Sequence, residues 1–164
     1  MANLDQPKGA ECYGPCLRQN VYKTGGIVYQ GDFLKKASAG TVVAAAAGDA
    51  TCGVAMTYAA SGADVMVADH PDQMFRIQSD DATEPAALTA VGLNYNIVCG
   101  SPDTLYKRSG MELDGNTGVT DSNMPLKLLR LDPAVNNAYG ANASCIVIIQ
   151  YHQHNGSIVG SAGV

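Results

Sequence analysis

The sequence predicts a mainly β protein, folded as a compact antiparallel β-barrel or β-sandwich with at most one or two short helices and extended terminal arms. Between residues 26 and 68, short apolar or alternating runs are interrupted by turn residues such as Gly31-Asp32 and Ser61-Gly62. No segment keeps a 3.6-residue apolar period long enough for a main helix. Residues 143–154 alternate with period two, as a strand does.

The stretch from residue 26 to residue 68 supplies the first predicted strands. Residues 27–30 and 33–37 flank Gly31-Asp32, and this spacing predicts a two-residue hairpin, because glycine tolerates positive φ. Residues 44–47 are four alanines that end at a glycine, so a helix there could not exceed two turns and a strand is favoured. Residues 63–68 are predicted to form a further strand.

The second half of the chain continues the pattern. Predicted strands cover 73–78, 93–99, 111–114, 125–131 and 143–154, with turns at 100–103 and 115–118. Pro85 stands where helices begin, so residues 85–90 are predicted as one short helix. Both faces of the strand at 143–149 are apolar, and this pattern predicts a central strand.

The two termini are predicted to be arms around this core. Residues 1–25 hold several glycines and prolines, and residues 155–164 are small and polar with one apolar pair. Residues 26–154 form the core, as one domain or as two sub-domains at 26–80 and 91–154. Free arms often become ordered on a partner, and a frayed tail is the alternative. The candidate contact residues on the arms are Tyr13, Leu17, Val21, Tyr22, Ile158 and Val159.

Composition and charge limit the function. Charged residues make up 15% of the chain, whereas about 25% is usual, so part of the surface is neutral or covered by a partner. The net charge is -5, and the adjacent basic pairs Lys35-Lys36 and Lys107-Arg108 form no basic stripe. We therefore expect no nucleic-acid partner. Residues 1–9 have no apolar signal core, and no run nears the ~20 residues of a membrane span, so we expect no membrane partner.

The five cysteines are expected to be free thiols of a protein made in a reducing cytoplasm. Their number is odd, and Cys52, Cys99 and Cys145 lie inside apolar runs, where cysteine is usually a small buried hydrophobe. Cys12-x-x-x-Cys16 lacks the second pair that a zinc motif needs.

Two further patterns resemble metal sites but lack ligands. His152-x-His154 places two imidazoles on one strand face, yet a metal needs at least one more ligand, such as His70. The segment that begins at Asp114 loosely follows a calcium loop, but Pro125 stands where the bidentate glutamate belongs. We expect no metal and no cofactor.

No catalytic residue is predicted. The chain has no Gly-x-Ser-x-Gly elbow and no nucleotide-binding glycine pattern. A Cys–His nucleophile pair stays open, because such a pair is built in space and not in sequence. The alternative to a structural role is a β-sandwich ligand-binding or adhesion domain, for instance one that binds glycans through some of its eight tyrosines.

The order of these segments resembles the small capsid decoration, or cement, proteins of tailed bacteriophages. The likeness covers roughly residues 25–153 and is one of order, spacing and composition. It begins with the glycine-rich stretch at 25–37 and continues through 41–47, 53–55, 62–67, 75–78, 91–98, 113–114 and 128–131.

The resemblance implies a β-rich, β-tulip-like protein without catalytic residues. It implies a homotrimer on the outer surface of the virion capsid, bound to the major capsid protein at capsomer junctions after the shell expands. Such a protein needs a rigid core, exposed strand edges or arms and a contact surface of low charge. A minor coat or tail subunit is a third hypothesis, which the position of the chain on a particle would separate from the first.

Overall fold

The fold is described by a computed structural model, which covers residues 3–80, 83 and 85–154. Eleven strands form two antiparallel sheets, and the helical part of these residues consists of the 3-10 turns Ser38–Gly40 and Leu88–Ala90. The prediction of a mainly β, antiparallel fold is confirmed. The strands are β1 Glu11–Cys12, β2 Gln19–Lys23, β3 Phe33–Lys36, β4 Val42–Ala44, β5 Gly53–Ala55, β6 Asp64–Ala68, β7 Met74–Gln78, β8 Asn94–Asp103, β9 Arg108–Val119, β10 Leu126–Leu131 and β11 Ser144–Ile149.

The larger sheet has six strands in the order β1-β7-β11-β10-β8-β9. Strand β11 pairs with β7 on one side and with β10 on the other, so the predicted central strand is confirmed. The successive residues Cys145, Ile146 and Val147 are all buried, because both faces of the sheet are covered at this point. The strand ends at Ile149, short of the predicted end at His154.

The smaller sheet has five strands in the order β2-β6-β5-β3-β4. Strands β2 and β4 are its edges, but just after β2 the chain meets the opposite edge. Thr24 bridges Val42, and the Gly25 N–H donates to the Val42 carbonyl oxygen at 2.9 Å. This contact joins the two edges at one end, so the sheet curls around one of its faces.

Successive side chains of the smaller sheet point to opposite faces and pack into two different apolar cores. Phe33 lies between the sheets and meets Phe75 of the larger sheet edge to face, with ring centroids 6.1 Å apart. The next residue, Leu34, points to the other face and packs with Val65 and Val67. The period of two in the sequence therefore builds a core shared by both sheets and a second core inside the curled sheet.

Several predicted turns and strands are wrong in position. Residues 27–30 do not form a hairpin strand with β3; Val28 instead bridges Ala59. Strand β8 continues through the predicted turn at 100–103, because Gly100 and Gly110 face each other so closely that a Cβ on Gly100 would lie 2.3 Å from the Gly110 carbonyl oxygen. Glycine here permits a close backbone approach and does not mark a turn.

Two more predictions differ in extent. The predicted turn at 115–118 lies within β9, where the pairing with β8 is irregular. The predicted helix at 85–90 is reduced to the 3-10 turn Leu88–Ala90.

The segment predicted as an N-terminal arm contributes a strand to each sheet. Strand β1 pairs with β7 of the larger sheet, and β2 pairs with β6 of the smaller one. Upstream of these strands, the Asn3 side-chain amide donates to the carbonyl oxygens of Ala138 and Ala141 at 2.9 Å each. Residues 3–23 are thus held against the rest of the chain. Apart from β1, the strands of the larger sheet follow residue 70 in the chain, and those of the smaller sheet precede it.

Among the described residues, no helix has the length and the apolar character required to span a membrane.

Candidate interaction surfaces

The hairpin of β8 and β9 carries two highly exposed apolar side chains at its tip. Residues 104–107 connect the two strands, and the side chains of Leu105 and Tyr106 are 78% and 71% exposed. The Asp103 carboxylate accepts hydrogen bonds from the Leu105 N–H at 2.9 Å and from the Tyr106 N–H at 3.0 Å. An aspartate that bonds its own backbone in this way fixes a tight turn, so the tip is held in one shape before any partner binds.

The tip is also fastened to the smaller sheet. The Gln30 N–H donates to the Lys107 carbonyl oxygen at 3.1 Å, and the Ser109 N–H donates to the Gln30 carbonyl oxygen at 2.8 Å. The ammonium group of Lys107 lies 5.0 Å from the ring centroid of Tyr58, which is itself 5.5 Å from that of Tyr29. We call Tyr29, Tyr58, Leu105 and Tyr106 the tyrosine patch.

The sequence gives little sign of the tyrosine patch. Its three tyrosines are 29 and 48 positions apart and show no regular spacing. The structure brings two of them together because Val28 bridges Ala59, which sets Tyr29 opposite Tyr58. The hairpin tip adds the third tyrosine from the other sheet. The sequence predicts a turn that ends at Asp103, so it gives no sign of a hairpin tip at residues 104–107.

The second surface is the open edge of β2. In an antiparallel pair the backbone groups of successive residues point alternately toward and away from the neighbouring strand. The Thr24 N–H donates to the Ala63 carbonyl oxygen of the neighbouring segment, so the residues of β2 that share its orientation bond β6. The remaining positions, Gln19, Val21 and Lys23, direct their N–H and C=O groups away from β6. Their side chains are all exposed.

Val21 and Met66 form a small apolar pair beside this edge. They are directly opposite each other in the β2–β6 register, and their side chains are 64% and 39% exposed. Lys23 and Asp64, the next pair on the same face, form an exposed salt bridge with an N–O distance of 2.8 Å. The sequence prediction included Val21 but not Met66. The burial of Val65 and Val67 shows that Met66 lies on the opposite face of β6.

Strand β2 is held in place by a buried carboxylate, Asp69. This side chain is fully buried and accepts hydrogen bonds from Arg18 Nε at 2.7 Å, Asn20 Nδ2 at 2.8 Å and the Tyr22 hydroxyl at 2.5 Å. Burial favours a raised pKa for Asp69, but the hydrogen bonds from Asn20, Tyr22 and Arg18 outweigh it and lower the pKa below its ordinary value. Burial and the hydrogen bond to Asp69 together raise the pKa of the Tyr22 hydroxyl. We call these four residues the Asp69 clasp.

Two histidines from the segment after β11 meet the Asp69 clasp. His154 Nδ1 lies 3.7 Å from Asp69 Oδ2, and the His154 ring stacks on Tyr22 at a centroid distance of 6.4 Å. His152 is 1% exposed, and burial, with the nearby His154 second, lowers the pKa of its imidazole to about 4. His152 is therefore neutral at pH 7, and its Nδ1 accepts the His154 N–H at 3.0 Å.

The two sequence patterns that resemble metal sites have no complete set of ligands in the described part of the chain. The rings of His152 and His154 are 5.2 Å apart, but no group of three histidine, cysteine, aspartate or glutamate side chains among these residues is placed to hold a metal ion.

Four of the cysteine thiols, Cys12, Cys52, Cys99 and Cys145, are not activated for nucleophilic chemistry. All five cysteines are free. Burial raises the pKa of Cys12, Cys52 and Cys145 to about 12, with Cys12 also affected by a hydrogen bond to Cys16, and burial raises the pKa of Cys99 as well. These four side chains are thiols and not thiolates at neutral pH.

Tyr13 lies on the larger sheet, apart from the other predicted contact residues. The guanidinium groups of Arg76 and Arg130 lie 5.8 and 5.4 Å from the centroid of its ring, and its hydroxyl accepts a hydrogen bond from Arg130 at 2.8 Å. The Tyr13 N–H donates to the Met74 carbonyl oxygen at 2.9 Å. This tyrosine is therefore already docked on its own chain.

The other predicted contact residues differ in exposure. Tyr22 is half-buried in the Asp69 clasp, whereas Val21 and Leu17 remain exposed, Leu17 at 55%. Ile158 and Val159 lie outside the described residues. The structure thus brings Val21 and Tyr22 together on β2, with their side chains on opposite faces.

A groove of about 520 Å³ crosses the outer face of the larger sheet. Its walls are the segment after Asn3 and the loop that contains Asn137. The amides in these walls already bond the chain: Asn137 Nδ2 donates to the carbonyl oxygens of Asp132 and Ser144 at 2.8 Å each. The lining of the groove is part apolar and part polar, and its amides serve to pin these segments to the sheet.

Comparison with models of known protein families gives no match to this chain, and comparison with curated proteins gives none.

Proposed function

We propose that this protein is a structural component of a tailed-phage virion, which binds the outer face of the head at capsomer junctions and stabilises the expanded capsid. The observation that carries the proposal is the hairpin tip, where two large apolar side chains stand in water on a turn that Asp103 holds in shape. Exposed apolar groups in a fixed arrangement are typical of protein contact sites, because binding then costs little conformational entropy.

The chemistry of the surface suits this role. Tyrosine is enriched among the residues that dominate binding energy at interfaces, and the tyrosine patch places Tyr58 and Tyr29 beside the tip. The exposed ammonium group of Lys107 lies over one of these rings, so the patch combines its aromatic surface with one positive charge. A contact of this size is modest, and several copies on one shell would act together through effective concentration. The proposal includes the homotrimer and the major capsid protein as partner that the resemblance implies.

The direct test is binding to purified phage heads. Wild-type protein is mixed with expanded and unexpanded shells, and bound protein is measured by co-sedimentation. We expect binding to expanded shells, and we expect Leu105→Ser to weaken it at least tenfold. The matched control is Val135→Ser, because Val135 is 90% exposed but lies in the loop after β10. Equal binding of Leu105→Ser and wild type, or no binding to either shell, would overturn the proposal.

The second candidate function is glycan binding, and the pairing of Tyr29 with Tyr58 favours it. Sugar rings stack on exposed aromatic faces, and the two tyrosines form such a surface, with centroids 5.5 Å apart. A glycan array probed with wild type and Tyr58→Ala tests it. A hit that Tyr58→Ala abolishes while Leu105→Ser retains would select the glycan function over the shell contact.

A further inference from the structure

We propose that the open edge of β2 pairs with β2 of a second copy of this chain, antiparallel and across a two-fold axis at Val21. This inference concerns self-association and stands independently of the proposed function. The backbone N–H and C=O groups of β2 that point away from β6 belong to Gln19, Val21 and Lys23, and these positions are symmetric about Val21.

Gly25, two positions after Lys23, has the same backbone orientation and shows the direction of these groups. The Gly25 N–H points away from β6 and is bonded by the Val42 carbonyl oxygen at 2.9 Å. Upstream of Thr24 the opposite edge strand has already turned away, since residues 38–40 form a 3-10 turn. The bridge between Thr24 and Val42 also engages the Lys23 carbonyl group, so the edge is occupied from that carbonyl onward and open at the other outward groups of residues 19–23.

A second β2 strand fits this open stretch. In an antiparallel pair centred on Val21, each Val21 faces its symmetry mate and each Lys23 faces the Gln19 of the other copy. The two Val21 residues then exchange both of their backbone hydrogen bonds, and each Lys23 N–H donates to the Gln19 carbonyl oxygen of the other copy. No like charges stand opposite each other, because Gln19 is neutral and Lys23 is already paired with Asp64 at 2.8 Å.

The side chains are compatible with such a joint sheet. Val21 and Met66, both exposed, would lie on one face of the joined sheet on either side of the axis. The strand contains no proline and no inward-pointing charge, which are common means of blocking edge pairing. Its rigidity comes from the Asp69 clasp, which bonds the side chains of Asn20 and Tyr22 from the other face.

The size of the contact sets its strength. Five residues of edge strand bury much less than the roughly 1,200 Å² of a stable interface. The pairing is therefore weak, with a Kd of about 10 to 100 μM. It doubles the number of copies in any other assembly that the chain forms.

Sedimentation velocity tests the inference with the intact chain. We expect the wild-type mass to double between about 1 μM and a few hundred μM, on either side of the Kd given above. Val21→Pro removes an outward N–H, and Val21→Lys places two positive charges opposite each other on the axis, so both should abolish the doubling. Val135→Ser, in the exposed loop after β10, is the matched control for the loss of an exposed apolar side chain, and its mass should double as that of wild type does.

Circular dichroism and thermal melting establish that each variant is folded. If Val21→Pro fails to fold, Val21→Lys alone decides, because Val21 is exposed and its replacement leaves the core intact. A wild-type mass that does not rise, or a doubling that a folded Val21 variant retains, would overturn the inference. Shell binding is not measured here, so failure of the proposed function leaves this result unaffected.

Discussion

Removing the Asp69 carboxylate should destabilise the protein far more than removing the Asp64 carboxylate, although the two aspartates lie at the two ends of the same strand, β6. Asp69 is fully buried and accepts three side-chain hydrogen bonds, from Arg18, Asn20 and Tyr22. Asp64 is 59% exposed and has one ion pair, with Lys23. The comparison therefore separates a buried, multiply bonded carboxylate from an ordinary surface charge.

The magnitude follows from the partners. A net hydrogen bond to a charged group contributes about 1.5–3 kcal/mol, and a partner that water can reach recovers part of this on mutation. Arg18 is 43% exposed and Asn20 is exposed, so water replaces most of their bonds, whereas Tyr22 is half-buried. We expect Asp69→Ala to cost about 2–3 kcal/mol of unfolding free energy, and Asp64→Ala at most about 0.5 kcal/mol.

Urea denaturation at pH 7, followed by circular dichroism, measures this difference. With a slope of about 2 kcal/mol per molar urea, the midpoint for Asp69→Ala should fall by about 1 M or more, and that for Asp64→Ala by less than about 0.3 M. Asp69→Asn keeps the shape and loses the charge, and it should lie between the two. Midpoints for Asp69→Ala and Asp64→Ala that agree within error would refute the argument that the clasp holds β2.

Three further predictions concern pH, close packing and the hairpin tip. The pKa of His152 is about 4 in the folded protein and about 6.5 when unfolded, so its contribution to stability is full above pH 6.5 and is lost as the pH falls to 4; the loss is at most about 3 kcal/mol, and His152→Gln should make the urea midpoint less dependent on pH over this range. Gly110→Ala would place a Cβ 2.2 Å from the Ser101 carbonyl oxygen, so it should lower the melting temperature by several degrees, while Gly26→Ala, with open space around it, should not. Asp103→Ala frees the tip and should weaken shell binding several-fold without changing the urea midpoint by more than about 0.3 M; a variant that binds as wild type does would contradict the role of the fixed turn.

Local patterns were reliable where one face of a strand is buried. The patterns in residues 63–68 and 73–78 predicted strands, and the structure contains them as β6, Asp64–Ala68, and β7, Met74–Gln78. The apolar run after Ser144 predicted a central strand for the same reason, since a strand covered on both faces has apolar residues in succession. These signals depend only on neighbours in the chain.

Glycine and small polar residues misled the prediction where their partners are distant. Gly100 suggests a turn by its type, but it serves the close approach of β9 at Gly110. Gly31 suggests a hairpin, but it leaves room for the backbone at Lys8, whose carbonyl oxygen would lie 2.7 Å from a Cβ on Gly31. In each case the reason for the glycine is a residue that sequence reasoning could not place beside it.

The sequence by itself determined the strand-rich architecture, the low charge and the weakness of every catalytic or metal pattern, because these are properties of composition and of spacing along the chain. Only the tertiary structure decided that residues 11–23 contribute strands to both sheets, that the rings of Tyr29 and Tyr58 meet beside the hairpin tip, and that Asp69 gathers Arg18, Asn20 and Tyr22. These features join residues about 30 to 65 positions apart. They depend on sheet order and register, which long-range packing sets.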